Sequence, residues 1–225
     1  MKFELVDATG SIAMADLAAY LAAQQTQLRT HYSACFDGDG DADLLSIPRA
    51  SFTPDMVCRI EPHAPADIEG AEGFHELGTL HVFLDIAHEA NTSWTSIMSH
   101  EVLEARADTR LHRCVELDDG SIWDYEVCDR VEAGSYMISG VEMSNFNTPA
   151  CFEPPPGWAP GAAIRLDWLG LSSKPNEIRP GGYAQRFDPS QGWSQVTNGE
   201  MRAYRRELAA RGLSRLHKRR RRLHR

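Results

Sequence analysis

The chain lacks any apolar run approaching the ~20 residues that span a bilayer, so no membrane segment is expected. Its five cysteines (35, 58, 114, 128 and 151) are scattered, odd in number and never spaced C-x-x-C. That pattern argues against a disulfide framework and a Cys-ligated zinc site, and for synthesis in a reducing compartment. The opening "MKFELVDATG" puts acidic residues where a secretory signal carries its apolar stretch, so no export signal is expected. No internal repeat is found. Hydrophobic and charged fractions of 42% and 24% are ordinary for a soluble globular protein and exclude wholesale disorder. At 225 residues the chain can bury one sizeable core.

Charge is present but unevenly placed. Residues 200–225 hold eleven Lys/Arg against two Glu, while the preceding 199 hold twelve basic and thirty acidic residues. A net charge of -9 thus combines an acidic body at -18 with a tail at +9. Such an arm neutralises phosphates without reading sequence, or docks on an acidic partner; a solvated tail is the plain alternative. With Tyr204 as its one aromatic residue, it is not a base-stacking platform.

"FELV" predicts a first strand, and "MADLAAYLAAQQTQLRTHY" a helix over 14–32 with Leu17, Leu21, Leu28 and Tyr32 inward. "DGDGDAD" (37–43) imitates half an EF-hand loop, but Ala42 and Pro48 fill the positions that need Gly and Glu. An acidic surface loop is the reading. Residues 44–47 and 56–60 predict strands, and "LHVFLDIA" (80–87) predicts the best-formed one, after a turn-like "GAEGFHELG". "ANTSWTSIMSHEVLEARAD" then predicts a second long helix with Asn/Thr/Ser capping candidates. Beyond residue 109, "SIWDYEVCD", "SYMISGVEMSNF" and "AAIRLDWLG" predict short strands, and "GGYAQRFDPSQGWSQV" a hairpin. The expected division is a motif-bearing half (1–109), a β-rich portion completing the same domain (110–199), and a basic arm (200–225).

The chemistry concentrates in "HEVLE". Residues four apart on a helix lie one turn apart on one face, so His100 and Glu104 are spaced to grip one ion. A His/carboxylate set suits zinc; the added carboxylate also admits Mn²⁺, Ca²⁺ or Mg²⁺. Glu101 takes the general-base position of His-Glu-x-x-His enzymes. "His-Glu" also occurs at 75–76 and 88–89, without a ligand-type residue three places on. The bland alternative is a solvated acidic helix face.

Strand, helix, strands and motif helix follow an order similar to the N-terminal half of a zincin metallopeptidase. There the last strand before the motif helix lies along the cleft and can pair with extended substrate. Gluzincins take a third ligand from a glutamate on a later helix, which favours Glu126 here. Asp129 is an orienting residue or the ligand itself. Asp108, about 12 Å along the helix from His100, is better placed to fix a neighbouring loop. His75 and His81 can approach the cleft, although a lone histidine there is more often a surface or hydrogen-bonded residue.

The blocks "GFHE", "LHVFLDIA", "SIMSHEVLEARAD", "WDYEVCDRVE", "SYMISGVEMSNFNTPACFEP" and "RPGGYAQRF", in this order over residues 15–196, resemble a family of uncharacterised tailed-phage and prophage proteins. That family looks like a divergent zincin-like group encoded among phage structural genes. The matching positions are His100, Glu101, Glu104, Asp108, Glu126 and Asp129; "ARADTRLHR" departs from it where relatives carry an apolar residue and Asp-Pro. The resemblance implies an α+β zincin-like fold, a divalent cation (zinc first) on His100, Glu104 and Glu126, and Glu101 as base. It also implies a phage structural precursor or host protein as substrate, and the host cytoplasm, then the virion, as location. The other expectation is a non-catalytic virion or assembly protein on the same scaffold, docking through its basic arm.

Overall fold

A computed structural model describes residues 1–36, 44–48, 52–65 and 72–198. The acidic loop 37–43 and the basic arm 200–225 lie outside the described residues. The fold is mixed α+β with several sheets. In chain order its elements are β1 (Lys2–Asp7), α1 (Met14–Thr26), β2 (Leu44–Ser46), β3 (Met56–Glu61), β4 (Gly73–Glu76) and β5 (Thr79–Phe83). Then come α2 (Leu84–Glu89), α3 (Trp94–Ala107), β6 (Cys114–Glu116), β7 (Ile122–Asp124), β8 (Ser135–Ile138) and β9 (Val141–Ser144). The chain continues with α4 (Pro149–Phe152), β10 (Tyr183–Asp188) and β11 (Gly192–Thr197). No helix among the described residues is long and apolar enough to cross a membrane.

The chain divides into two compact units. The first comprises Met1–Ala64, Glu72–Leu111 and the returning hairpin Ser135–Ser144. Its sheet runs β2-β1-β3-β5-β4, parallel throughout except for the antiparallel edge strand β4. Alternation divides the sheet's faces. Phe3, Leu5, Met56, Cys58, Ile60, Leu80 and Val82 are buried, while Val6, Val57, Arg59, Glu61 and His81 between them stay half-exposed. Each large apolar side chain so covered contributes about 1.5–3 kcal/mol. Tyr20 of α1 lies beside Cys58 on the buried face, and its ring meets Trp94 of α3 at 5.2 Å.

Two expectations need correction here. "LHVFLDIA" is not one strand: β5 ends at Phe83 and a helix begins at Leu84, where the Asp85 carboxylate accepts the Ile86 N–H at 2.8 Å. "GFHE" is not a turn but β4, so the strand running into this part of the chain, β5, is interior and the sheet edge belongs to β4.

Helix α1 ends as a π-helical turn over Gln27–Tyr32, wide enough to turn Gln27, Leu28 and Tyr32 all inward; Leu21 is only half-buried. Gln27 then uses its whole amide. Its Oε1 accepts from Ser99 Oγ (2.8 Å) and Gln24 Nε2 (2.9 Å), and its Nε2 donates to the Ser144 carbonyl (2.9 Å) and Tyr136 Oη (3.1 Å). Ser99 Oγ also accepts the Ser144 N–H at 3.2 Å. These bonds fix the rotation of α3 one residue before His100.

His31 Nδ1 sits 2.8 Å from Tyr136 Oη, and burial holds its imidazole below the ordinary value near 6.5. The unfolded chain therefore takes up this proton first as pH falls, so the His31 contribution to stability is full above about 6.5 and declines below it. Urea midpoints measured at stepped pH should fall more steeply below 6.5 in the wild type than in His31→Gln; parallel curves would contradict this.

The second unit contains His112–Gly134 and the described part of Asn145–Arg225. Its sheet, β11-β10-β7-β6, is antiparallel throughout, with the expected hairpin at β10–β11. Phe146, Phe152, Val127, Val131, Leu166 and Tyr183 are buried beside a wholly buried Arg130. "AAIRLDWLG" forms no strand, only an isolated bridge between Asn147 and Asp167. The buried Asp167 carboxylate instead accepts from Asn145 Nδ2 (2.9 Å) and the backbone of Leu171 (3.2 Å) and Ser172 (2.6 Å), holding an irregular loop. All five cysteines are free. Burial pushes the Cys151 thiol up to about 11, against the opposing pull of Arg130, which leaves it unreactive.

Candidate functional site

Helix α3 starts where Ser93 Oγ accepts the Thr95 N–H at 3.3 Å, and Thr95 Oγ1 donates to the Glu142 carbonyl at 2.7 Å. The polar "NTSWTS" stretch is thus used for capping and anchoring. From Thr95 to Ala105 every residue of the helix is buried. A helix buried all round is normally apolar, and this one carries His100, Glu101 and Glu104. The solvated acidic face considered for "HEVLEARAD" is therefore absent.

Within the first unit, four ionisable side chains converge. His100 Nε2 stands 2.9 Å from Glu104 Oε1, as expected for residues one turn apart. From β4, His75 Nδ1 stands 3.3 Å from Glu101 Oε2 and 3.7 Å from Glu104 Oε2. Exposure is 8% for His75, 5% for His100, 1% for Glu104 and 0% for Glu101. Two buried carboxylates against two imidazoles is an expensive grouping unless positive charge balances it.

The pleat separates the two histidines of this strand pair. His75 pairs with Leu80 and faces α3; His81 pairs with Phe74 on the other face. There His81 is held by Glu61 (2.7 Å) and Glu76 (3.5 Å) and stacks on Phe74 at 4.5 Å. It takes no part in the cluster.

Of the residues singled out in the sequence, His100, Glu101 and Glu104 come together in the first unit. Asp108, also buried, sits at the C-cap of α3, its N–H donating to the Glu104 carbonyl at 2.7 Å. Glu126 and Asp129 belong to the second unit and are buried. The expected later helix is absent there: Glu126 follows β7 in irregular chain, and Asp129 opens a single 3-10 turn, Asp129–Val131. Sequence reasoning named His75 as able to approach the cleft but favoured a surface or hydrogen-bonded role for it. Its signal was the glycine two residues earlier, read as a turn residue although it permits close approach to α3.

Among the described residues, buried His, Glu and Cys side chains form two groups that could hold a metal ion; in the first unit one draws on His100 and Glu104 and the other on His75 and Glu104. Comparison with protein-family models, curated proteins and solved structures finds no match. The phage-type resemblance therefore rests on the sequence blocks alone.

Proposed function

We propose that this chain is a phage-type, zincin-like protein that binds one divalent cation on the α3 motif and hydrolyses peptide bonds with it. The observation that carries the reading is the burial of His75, His100, Glu101 and Glu104 in one cluster. With both imidazoles neutral, the cluster carries two negative charges, which one divalent cation cancels. The donor set fits such an ion: imidazole nitrogen with carboxylate oxygens suits zinc, with manganese next and calcium or magnesium less well. His100 and Glu104 are ligands in this reading. The mostly parallel sheet with an antiparallel edge, and a motif helix packed against that edge, also support the zincin reading.

When bound, the cation supplies Lewis-acid polarisation of the scissile carbonyl. The chain's own part is proton transfer. Glu101 accepts a proton from the attacking water as the new C–O bond forms, and returns it to the leaving nitrogen as the C–N bond breaks. A phage structural precursor or a host protein is the proposed substrate.

One observation favours a second reading. Glu101 is wholly buried and lies against His75, so the cluster also suits a structural centre in a non-catalytic virion or assembly protein. The readings separate on protein purified without chelator or histidine tag. Elemental analysis should find about one metal equivalent. In His100→Ala, affinity should fall by more than the roughly 10–100-fold that loss of an outer partner costs. Glu101→Gln should keep the metal yet lose about 10²–10⁴-fold of the hydrolysis of an unfolded protein substrate. Metal retained without turnover in the wild type would select the structural reading, and a metal-free chain would end both.

A further inference from the structure

We infer that strand β4 is an orienting clamp for Glu101, with the His75 Nδ1–H held against one oxygen of its carboxylate. His75 is then a positioning residue of the site, acting through Glu101. The inference rests on the hydrolytic reading above, in which Glu101 takes a proton from the attacking water, and supplies what holds that base in place.

The two buried carboxylates of the motif meet different imidazoles. Glu104 is met by His100, one turn back on its own helix, at 2.9 Å. Glu101 is met from the sheet. His75 Nδ1 makes a 3.3 Å hydrogen bond with its Oε2, against a distance of 3.7 Å to Glu104 Oε2. Both partners of that bond are buried. An ionised carboxylate only accepts, so Nδ1 is the ring nitrogen that carries the proton.

Strand pairing aims the imidazole. His75 is in register with Leu80 on the face turned to α3, whereas His81 on the neighbouring strand lies on the other face with Glu61 and Glu76. Gly73, the other β4 residue on the α3 side, allows the close approach: a Cβ there would lie 3.2 Å from Glu101 Oε1. One residue grips the carboxylate and the other makes room for it.

The grip has a use because a long acidic side chain on a helix does not hold its own carboxylate plane. A catalytic group misplaced by about 1 Å loses roughly 10²-fold in rate. A hydrogen bond from a paired strand gives the support that a base needs.

Nitrogen-15 NMR of the imidazole rings tests the contact in the full chain, whether or not metal is bound, at about pH 8 where histidine is ordinarily neutral. His75 should carry its proton on Nδ1. Glu101→Leu should move it to Nε2, the nitrogen that an imidazole in water prefers, and Glu104→Gln should leave it in place. A wild-type Nδ1 without a proton, or one whose proton ignores Glu101→Leu, overturns the inference. With zinc loaded, His75→Leu should lower kcat on an unfolded protein substrate roughly 10–100-fold with KM little changed. His75→Asn, whose amide nitrogen takes the place of Nδ1, should restore most of that loss. Equal kcat in the two variants overturns the positioning role. If His75→Leu does not fold, the NMR of the wild type and Glu101→Leu decides. A wild type that holds no metal and hydrolyses nothing overturns the underlying reading, whereas a bare Nδ1 in an active wild type overturns this inference alone.

Discussion

Arg130→Met is expected to destabilise the second unit by about 3–5 kcal/mol, the usual cost of removing one partner from a buried ion pair. Arg130 is wholly buried, with Nη1 at 3.5 Å from Asp124 Oδ1 and Nη2 donating to the Asp124 carbonyl at 3.3 Å. Its guanidinium carbon also lies 4.9 Å from the Phe152 ring centre. Methionine fills most of the volume, so the loss is electrostatic: the buried Asp124 keeps the Gln185 N–H at 3.0 Å but loses the Arg130 guanidinium. The surrounding backbone leaves no room to adapt. Arg179 N–H binds the Arg130 carbonyl at 2.8 Å, and a side chain at Gly182 would come within 2.9 Å of the Asp129 carbonyl. Urea denaturation should show the full loss in Arg130→Met and partial recovery in Arg130→Met/Asp124→Asn, where the carboxylate charge facing Arg130 is removed as well. A single-variant loss under about 1 kcal/mol would mean that water or another cation already serves Asp124.

How much of this was legible in the sequence depended on whether local pattern and tertiary use agreed. β1, the first helix, β2, β3 and the β10–β11 hairpin were readable because alternation, helical spacing and turn residues point the same way. "LHVFLDIA" was not, because a continuous apolar run suits a buried strand and a buried helix equally; the helix begins at Leu84, with the Asp85 carboxylate accepting the Ile86 N–H in its first turn. "GFHE" was misread because the glycines of "GAEGFHELG" resemble turn punctuation. Gly78 does serve a turn, at φ +83°, whereas Gly73 is a packing residue. "AAIRLDWLG" has strand composition, but the Asp167 carboxylate gathers the following loop's N–H groups, a use no local pattern announces.

The site was half legible. Helical period alone places His100 and Glu104 together, and the 2.9 Å contact follows from it. The burial of Glu101 and Glu104 did not follow, since "HEVLEARAD" has the composition of an exposed face; only the surroundings of α3 remove it from water. His75 is 25 residues from His100 in the sequence, and its place depends on strand pairing and on the side of the pleat. A one-residue slip in the β4–β5 register would turn it outward and His81's neighbours inward. Such long-range register is invisible to spacing.

The same register makes Gly73→Ala a damaging substitution in the first unit. A Cβ there would lie 2.7 Å from the His81 carbonyl oxygen, 2.7 Å from Ile97 Cγ2 and 3.2 Å from Glu101 Oε1. The carbonyl belongs to the β4–β5 ladder and Ile97 to a helix buried all round, so neither yields by rotating a free side chain. Overpacking of this kind costs about 1–3 kcal/mol. Relief requires β4 and α3 to separate, and that motion carries His75 away from Glu101 and Glu104. Zinc affinity, measured by competition with a chromophoric chelator, should therefore fall about tenfold or more alongside the urea midpoint. In an Ile97→Ala background, where one of the two closest contacts is gone, the added methyl should cost less, with a coupling of about 0.5–3 kcal/mol. If Gly73→Ala lowers stability yet leaves zinc affinity unchanged, the separation of β4 from α3 does not matter to the ion, and the site would have to be built from α3 without the sheet edge. If neither changes, the close approach of β4 to α3 is not what holds the cluster together.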